Sequence, residues 1–154
     1  MGEEYAAFGT ILAMGDGEDP ETYSAIASVK DIDGPSRTRD TIDVTNHQSP
    51  NKMKEFKASL VDGGTVTFTC GFDPGDSTHD DTTGLEYKLT ETDPTNFKLI
   101  YPVPATVGFW GYSFPGLITK ITPKAPVAGE LTSDIEIKVA GAVSLDDIDI
   151  SGIS

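Results

Sequence analysis

Any chemistry in this chain must come from two histidines, one cysteine and a scatter of acidic residues. His47 and His79 are far apart in sequence, and neither has a third partner at metal-ligand spacing. Each is expected as a loop or helix-cap residue bonded to backbone. Asp73, Asp76, Asp80 and Asp81 approach a calcium-like set. They lack the regular ligand positions and closing glutamate of a helix-loop-helix calcium site. Helix capping and solvation account for them better. Asp40 and Asp43 fall on an expected strand at odd separation, so they face opposite sides and form no carboxylate pair. Cys70 shares the apolar parity of Val66, Phe68 and Phe72, which makes it a small buried hydrophobe rather than a nucleophile. The sequence holds no phosphate-binding glycine loop, nucleophile elbow or paired-cysteine site. It reads as a non-enzyme, with no catalytic residues, no metal and no cofactor.

The elements that carry these residues are mostly strands. Thr65 to Phe72 places threonines on one face and apolar residues on the other, and Leu131 to Val139 turns Ile135, Ile137 and Val139 inward with Glu136 and Lys138 outward. Arg37 to Thr45 and Asn96 to Tyr101 alternate in the same way. Pro102 and Pro104 are expected to interrupt the latter. Val107 to Phe114 is aromatic-rich, with Trp110, Tyr112 and Phe114 on one parity. A kink is expected at Pro115-Gly116 before Leu117 to Thr122 resumes. Ile11 to Met14 is a short strand. Tyr23 to Asp33 admits helix or strand, and its β-branched content favours strand. Asp33-Gly34-Pro35 and Asp62-Gly63-Gly64 are turn signals. Ser77 or Thr78 is placed to cap a helix with Leu85 and Leu89 as its packing stripe, closed by Asp93-Pro94. Met53, Phe56 and Leu60 recur at roughly helical spacing, admitting a turn of helix late in the 46–60 connection. Ala142 to Ile150 is a last strand or an arm with an acidic edge.

These elements imply a mainly β fold, a β-sandwich or barrel with one short flanking α-helix. The organisation is one domain over 1–154, with an N-terminal arm at 1–10, a long connection at 46–62 and a C-terminal arm at 143–154. The 154 residues suffice for one core, and 16 glycines with 10 prolines suit a many-turned β-domain. The formal charge of −14, from 25 acidic and 11 basic residues, argues against a free-standing nucleic-acid binder. A lone cysteine fits a reducing compartment. Met1 to Ala13 opens with Glu3-Glu4 rather than a basic, then apolar, leader, and no run is long enough to span a membrane.

Three stretches together carry a family resemblance. They are Arg39-Asp40-Thr41-Ile42-Asp43-Val44-Thr45, the polar connection through His47 and Ser49-Pro50, and Gly63-Gly64 ahead of a strand ending in Phe72-Asp73-Pro74, followed by Ser77-Thr78-His79. The chain resembles the major tail protein family, the tail tube proteins of long-tailed bacteriophages, over nearly its whole length. It ends near Ser154, leaving no room for the immunoglobulin-like decoration domain some members carry. The resemblance implies hexameric rings stacked into a hollow tube around a tape-measure protein. The tube meets terminator and tip or initiator proteins, is assembled in the host cytoplasm, and later conducts DNA that slides past without specific binding. It also implies that the 46–62 connection contacts the adjoining ring and that both arms bridge subunits.

Residue character adds to this. A long polar connection in a compact domain suggests a partner. Lys52, Lys54 and Lys57 are expected to meet acidic residues of a neighbour, with Glu18, Asp19, Glu21 and the Asp146-Asp147 edge as candidates. Met53 and Phe56 in the connection, and Tyr5 and Phe8 in the arm, are the expected apolar anchors. Rival readings are an adhesin or receptor-binding β-domain using Phe109 to Phe114, a small hydrolase or calcium-dependent enzyme, and the tube protein of a contractile or secretion system.

Overall fold

The computed structural model describes residues 4–48 and 50–153, and all of their side chains except that of Lys52. Met1, Gly2, Glu3, Ser49 and Ser154, which fall in the expected arms and connection, lie outside the described residues; 144–148 of the expected C-terminal arm is a strand paired with 109–113.

Ten strands and one turn of α-helix follow in the order β1 (Ile11–Gly15), β2 (Tyr23–Ala25), β3 (Val29–Asp33), β4 (Thr38–Asp43), β5 (Phe56–Asp62), β6 (Thr65–Gly71), α1 (Leu85–Lys88), β7 (Thr95–Pro104), β8 (Phe109–Lys124), β9 (Thr132–Val139) and β10 (Ser144–Ile148). Eight strands form one antiparallel sheet in the order β2-β1-β7-β8-β9-β6-β3, with β10 on β8. The two end strands, β2 and β3, are successive stretches of one segment, so the sheet curls round on itself in a barrel-like manner. The fold is mainly β with a single short helix, as its alternating pattern indicates.

The period-2 pattern decides which face is buried. Val66, Phe68 and Cys70 on β6 pair with Ile137, Ile135 and Ser133 on β9. Ile137 pairs onward with Ile118 on β8, and Phe114 of β8 with Phe97 of β7, their rings stacked at 5.9 Å. Leu12 and Met14 of β1 extend the face. Each such side chain contributes about 1.5–3 kcal/mol by leaving water.

Four expectations are corrected. Tyr23 to Asp33 is two strands, broken where Ile26 dips into the core and Ser28 takes φ 59°. The Met53, Phe56, Leu60 spacing marks no helix, because Phe56 and Leu60 lie on β5. The expected cap at Ser77 or Thr78 starts no helix: α1 begins only after Gly84, with no side-chain cap. The Asp80 carboxylate accepts the amides of Thr82, Thr83 and Gly84, holding this stretch in tight turns until Leu85 reaches the core. Pro102 and Pro104 do disturb β7 as expected, since its pairing with β8 shifts register between Ile100 and Pro104 and Pro104 is its last residue. Pro115, in contrast, does not divide its strand: β8 runs unbroken past it. Pro115 lies opposite the gap between β9 and β10, where no ladder donor is needed, and its carbonyl accepts the Ala140 amide at 2.8 Å.

Candidate functional site: the exposed hairpin

β4 and β5 form a two-stranded sheet of their own. Thr41 pairs with Ala58, Ile42 with Lys57 and Asp43 with Phe56. A register shift between Arg39 and Thr41 sets both Ser59 and Leu60 against Asp40, a bulge that bends β5. The pairing continues where Val44 N–H donates to the Glu55 carbonyl at 2.9 Å. Residues 46–48 and 50–54 form the tip. At the root, the Arg37 guanidinium sits 5.0 Å from the centre of the Tyr112 ring, and Lys138 Nζ donates to Asp62 Oδ1 at 3.2 Å. The Gly64 amide donates to the same oxygen at 2.8 Å. The Gly64 amide first, and then Lys138 through its hydrogen bond and its charge, hold the Asp62 carboxyl below its ordinary value. Gly64 takes φ +72°, and a methyl group there would collide with the Ser36 carbonyl, so this turn requires glycine.

The hairpin is exposed on both faces. Phe56 is 56% exposed, Leu60 88% and Met53 66%, with Ile42 and Val61 also open. Sequence reasoning named Met53 and Phe56; it did not single out Ile42, Leu60 and Val61 as anchors, because no local pattern records whether a strand is covered or bare. Phe56 and Lys57 point to opposite faces, so the structure does not bring the apolar anchor and this lysine together. Lys54 is exposed at the tip, and neither it nor Lys57 has an ion-pair partner among the described residues. The Lys52 side chain lies outside the described residues. In the N-terminal arm Phe8 is 96% exposed and Tyr5 is half exposed.

The acidic candidates divide. Glu21 is engaged by the Gly17 amide, the Tyr23 hydroxyl and the Asn96 side chain. Asp147 accepts the Val107 and Gly108 amides at 2.7 and 2.8 Å. Glu18, Asp19 and Asp146 are exposed. The acidic residues of the 73–84 loop are largely structural: Asp76 accepts the Thr78 amide and hydroxyl, and Asp80 the amides given above. His79 is buried, its Nε2 2.8 Å from the Ala27 carbonyl oxygen. Among the described residues no three His, Cys, Asp or Glu side chains group to hold a metal ion, and no helix is long and apolar enough to cross a membrane.

A surface this rich in uncovered apolar side chains suits assembly. The family model described as lambda phage tail tube protein matches residues 9–146. The chain belongs to that family. As a tail tube protein it is a structural component of the virion tail and not an enzyme. No curated protein matches its sequence. Its fold is similar to a chain of the native gene transfer agent virion at 17% identity, covering 93% of this chain and 99% of the other, with a TM-score of 0.67. A chain of the empty gene transfer agent tail, computed with C6 symmetry, is 18% identical over 93% and 99%, with a TM-score of 0.67. A chain from the sheath/tube terminator of an extracellular contractile injection system is 13% identical over 94% and 98%, with a TM-score of 0.68. The same tube-type fold thus serves phage-like and injection-type particles.

Proposed function

We propose that this tail tube protein assembles as hexameric rings that stack around a tape-measure protein into a DNA conduit. The β4–β5 hairpin carries the proposal. A lone two-stranded sheet is only marginally stable in water, and this one exposes Ile42, Phe56, Leu60 and Val61. Seating it on an adjoining ring would bury that surface. The six-fold symmetry of the gene transfer agent tail supports ring order, given the shared fold. The arms, with Tyr5 and Phe8, would bridge subunits within or between rings. Terminator and tip or initiator proteins would close the two ends. Assembly would take place in the host cytoplasm.

The net charge of −14 supports a lumen past which DNA slides, since like charge repels phosphates. Lys52, Lys54 and Lys57 would face carboxylates of a neighbour, each exposed pair contributing only about 0–1 kcal/mol. Most of the assembly energy then falls to Met53, Phe56, Tyr5 and Phe8.

Negative-stain electron microscopy of the concentrated protein, with its light-scattering mass, tests this. Hollow tubes or six-fold rings are expected. A chain that stays monomeric even with its initiator complex would overturn the proposal. Replacing the three lysines by glutamate should block growth and leave the monomer folded; normal tubes from that variant would remove charge from the account. The likeness to the injection-system chain supports a second reading, the tube of a contractile particle, which a co-encoded sheath protein would favour.

A further inference from the structure

A cleft of about 350 Å³ lies between the 72–86 segment and strands β6, β8 and β9. Leu85 and Ile135 are buried in its wall, Ile121 is half-buried, and Asp73, Asp81 and Glu86 are exposed along it. It thus has an apolar floor and an acidic rim. Among the described residues no ion pair engages Asp81 or Glu86. The other large clefts carry cations in their own walls: Lys120 and Lys124 in one, Lys88 in another, Arg37 in a third. This one is lined by no lysine or arginine.

The hairpin tip has the opposite character. Met53 is exposed, Lys54 follows it, and the 52–57 stretch is the densest run of basic residues in a chain of net charge −14. Between two copies of such a chain, a contact in which this run meets an acidic surface is attractive against the overall repulsion. A flexible thioether suits an irregular apolar cleft, and the neighbouring ammonium would reach carboxylates at its rim. We infer that the α1 cleft is the receptor for the hairpin tip of a second copy, Met53 entering between Leu85 and Ile121 and Lys54 meeting Asp81 and Glu86. The inference rests on the tube reading above and gives it a specific contact. Donor and acceptor are different patches, so the contact is head-to-tail and propagates from ring to ring.

Cysteine pairs in a Cys70→Ala background test it in the full chain, since the native Cys70, though buried, lines this cleft. Tubes of Met53→Cys with Asp81→Cys, treated with a short bis-maleimide, should give a ladder of linked copies on a denaturing gel, absent from either single variant. Tubes that form but give no ladder would overturn the cleft assignment and leave the tube reading standing. A ladder from Phe8→Cys with Asp81→Cys in its place would seat the N-terminal arm there and also overturn it. Failure of the parent chain to form tubes, with initiator present, would overturn both. As a second arm, Asp81→Lys with Glu86→Lys should stop growth, and adding Lys54→Glu should restore it. Growth unaffected by the double lysine variant counts against the contact.

Discussion

Ile42 and Lys57 lie directly opposite one another across the β4–β5 pair, while their neighbours Asp43 and Phe56 form the next pair and face the other way. Each face of the hairpin therefore carries one large apolar side chain beside one charge. The hairpin thus leaves apolar side chains uncovered on both sides instead of laying one face on its own domain.

That exposure separates folding from assembly. Phe56→Ser and Leu60→Ser should each change monomer stability by no more than about 0.5 kcal/mol, as at other surface sites. Tube yield should fall sharply. Thermal unfolding of the monomer, beside pelleting of tubes, reads the two effects separately.

Ile137 gives the opposite outcome. It is fully buried, paired with Val66 on one side and Ile118 on the other. Ile137→Ala should cost about 2–5 kcal/mol through lost burial and the cavity left behind. Urea unfolding followed by Trp110 fluorescence would measure it.

Thr78 ties the 73–84 loop to the barrel. Its hydroxyl accepts the Ala27 amide at 3.1 Å and donates to Asp76 at 2.6 Å. Thr78→Val keeps the shape but leaves the Ala27 amide without its acceptor, a loss of about 1–3 kcal/mol. Proteolysis should then cut the loop sooner than in the parent chain.

Acid should loosen the hairpin root. The Gly64 amide and Lys138 hold the folded Asp62 carboxyl below its ordinary value of 3.8. The stabilisation is therefore complete above that value and is lost as pH falls through the lower folded one. Asp43, Asp76, Asp80 and Asp134 are lowered in the same sense, by Thr45, Thr78, Thr83 and Lys124 respectively in the first place. Unfolding temperature should drop below pH 4, with a shallower slope in Asp62→Asn.

Cys70 should resist modification. Burial, with a smaller push from Asp134, raises its thiol to about 11. Only about one molecule in a thousand then carries a thiolate at pH 8. Labelling should be slow in the native protein and fast in urea, and equal rates would contradict the burial.

The sequence alone determined the strands that line the core. In β6 and β9 the period-2 pattern is a local record of burial on one face, so Val66, Phe68, Ile135 and Ile137 could be assigned without a partner in view. The mainly β class followed from the same local signal, and the family resemblance from short strings such as Arg39 to Thr45 and Phe72-Asp73-Pro74. Tertiary structure alone decided the rest. β5 hid behind a helical spacing because neither of its faces is buried in the monomer, so no selection for alternation marks it. Pro115 sits within a strand because the chain opposite is interrupted there, a fact of pairing rather than of proline. Thr78 was placed at a helix cap because its residue type suits one; it caps nothing because Ala27 and Asp76 claim its hydroxyl. Which apolar residues stay bare, and which carboxylates are already engaged, depends on contacts between segments far apart in the chain, and no local pattern records those.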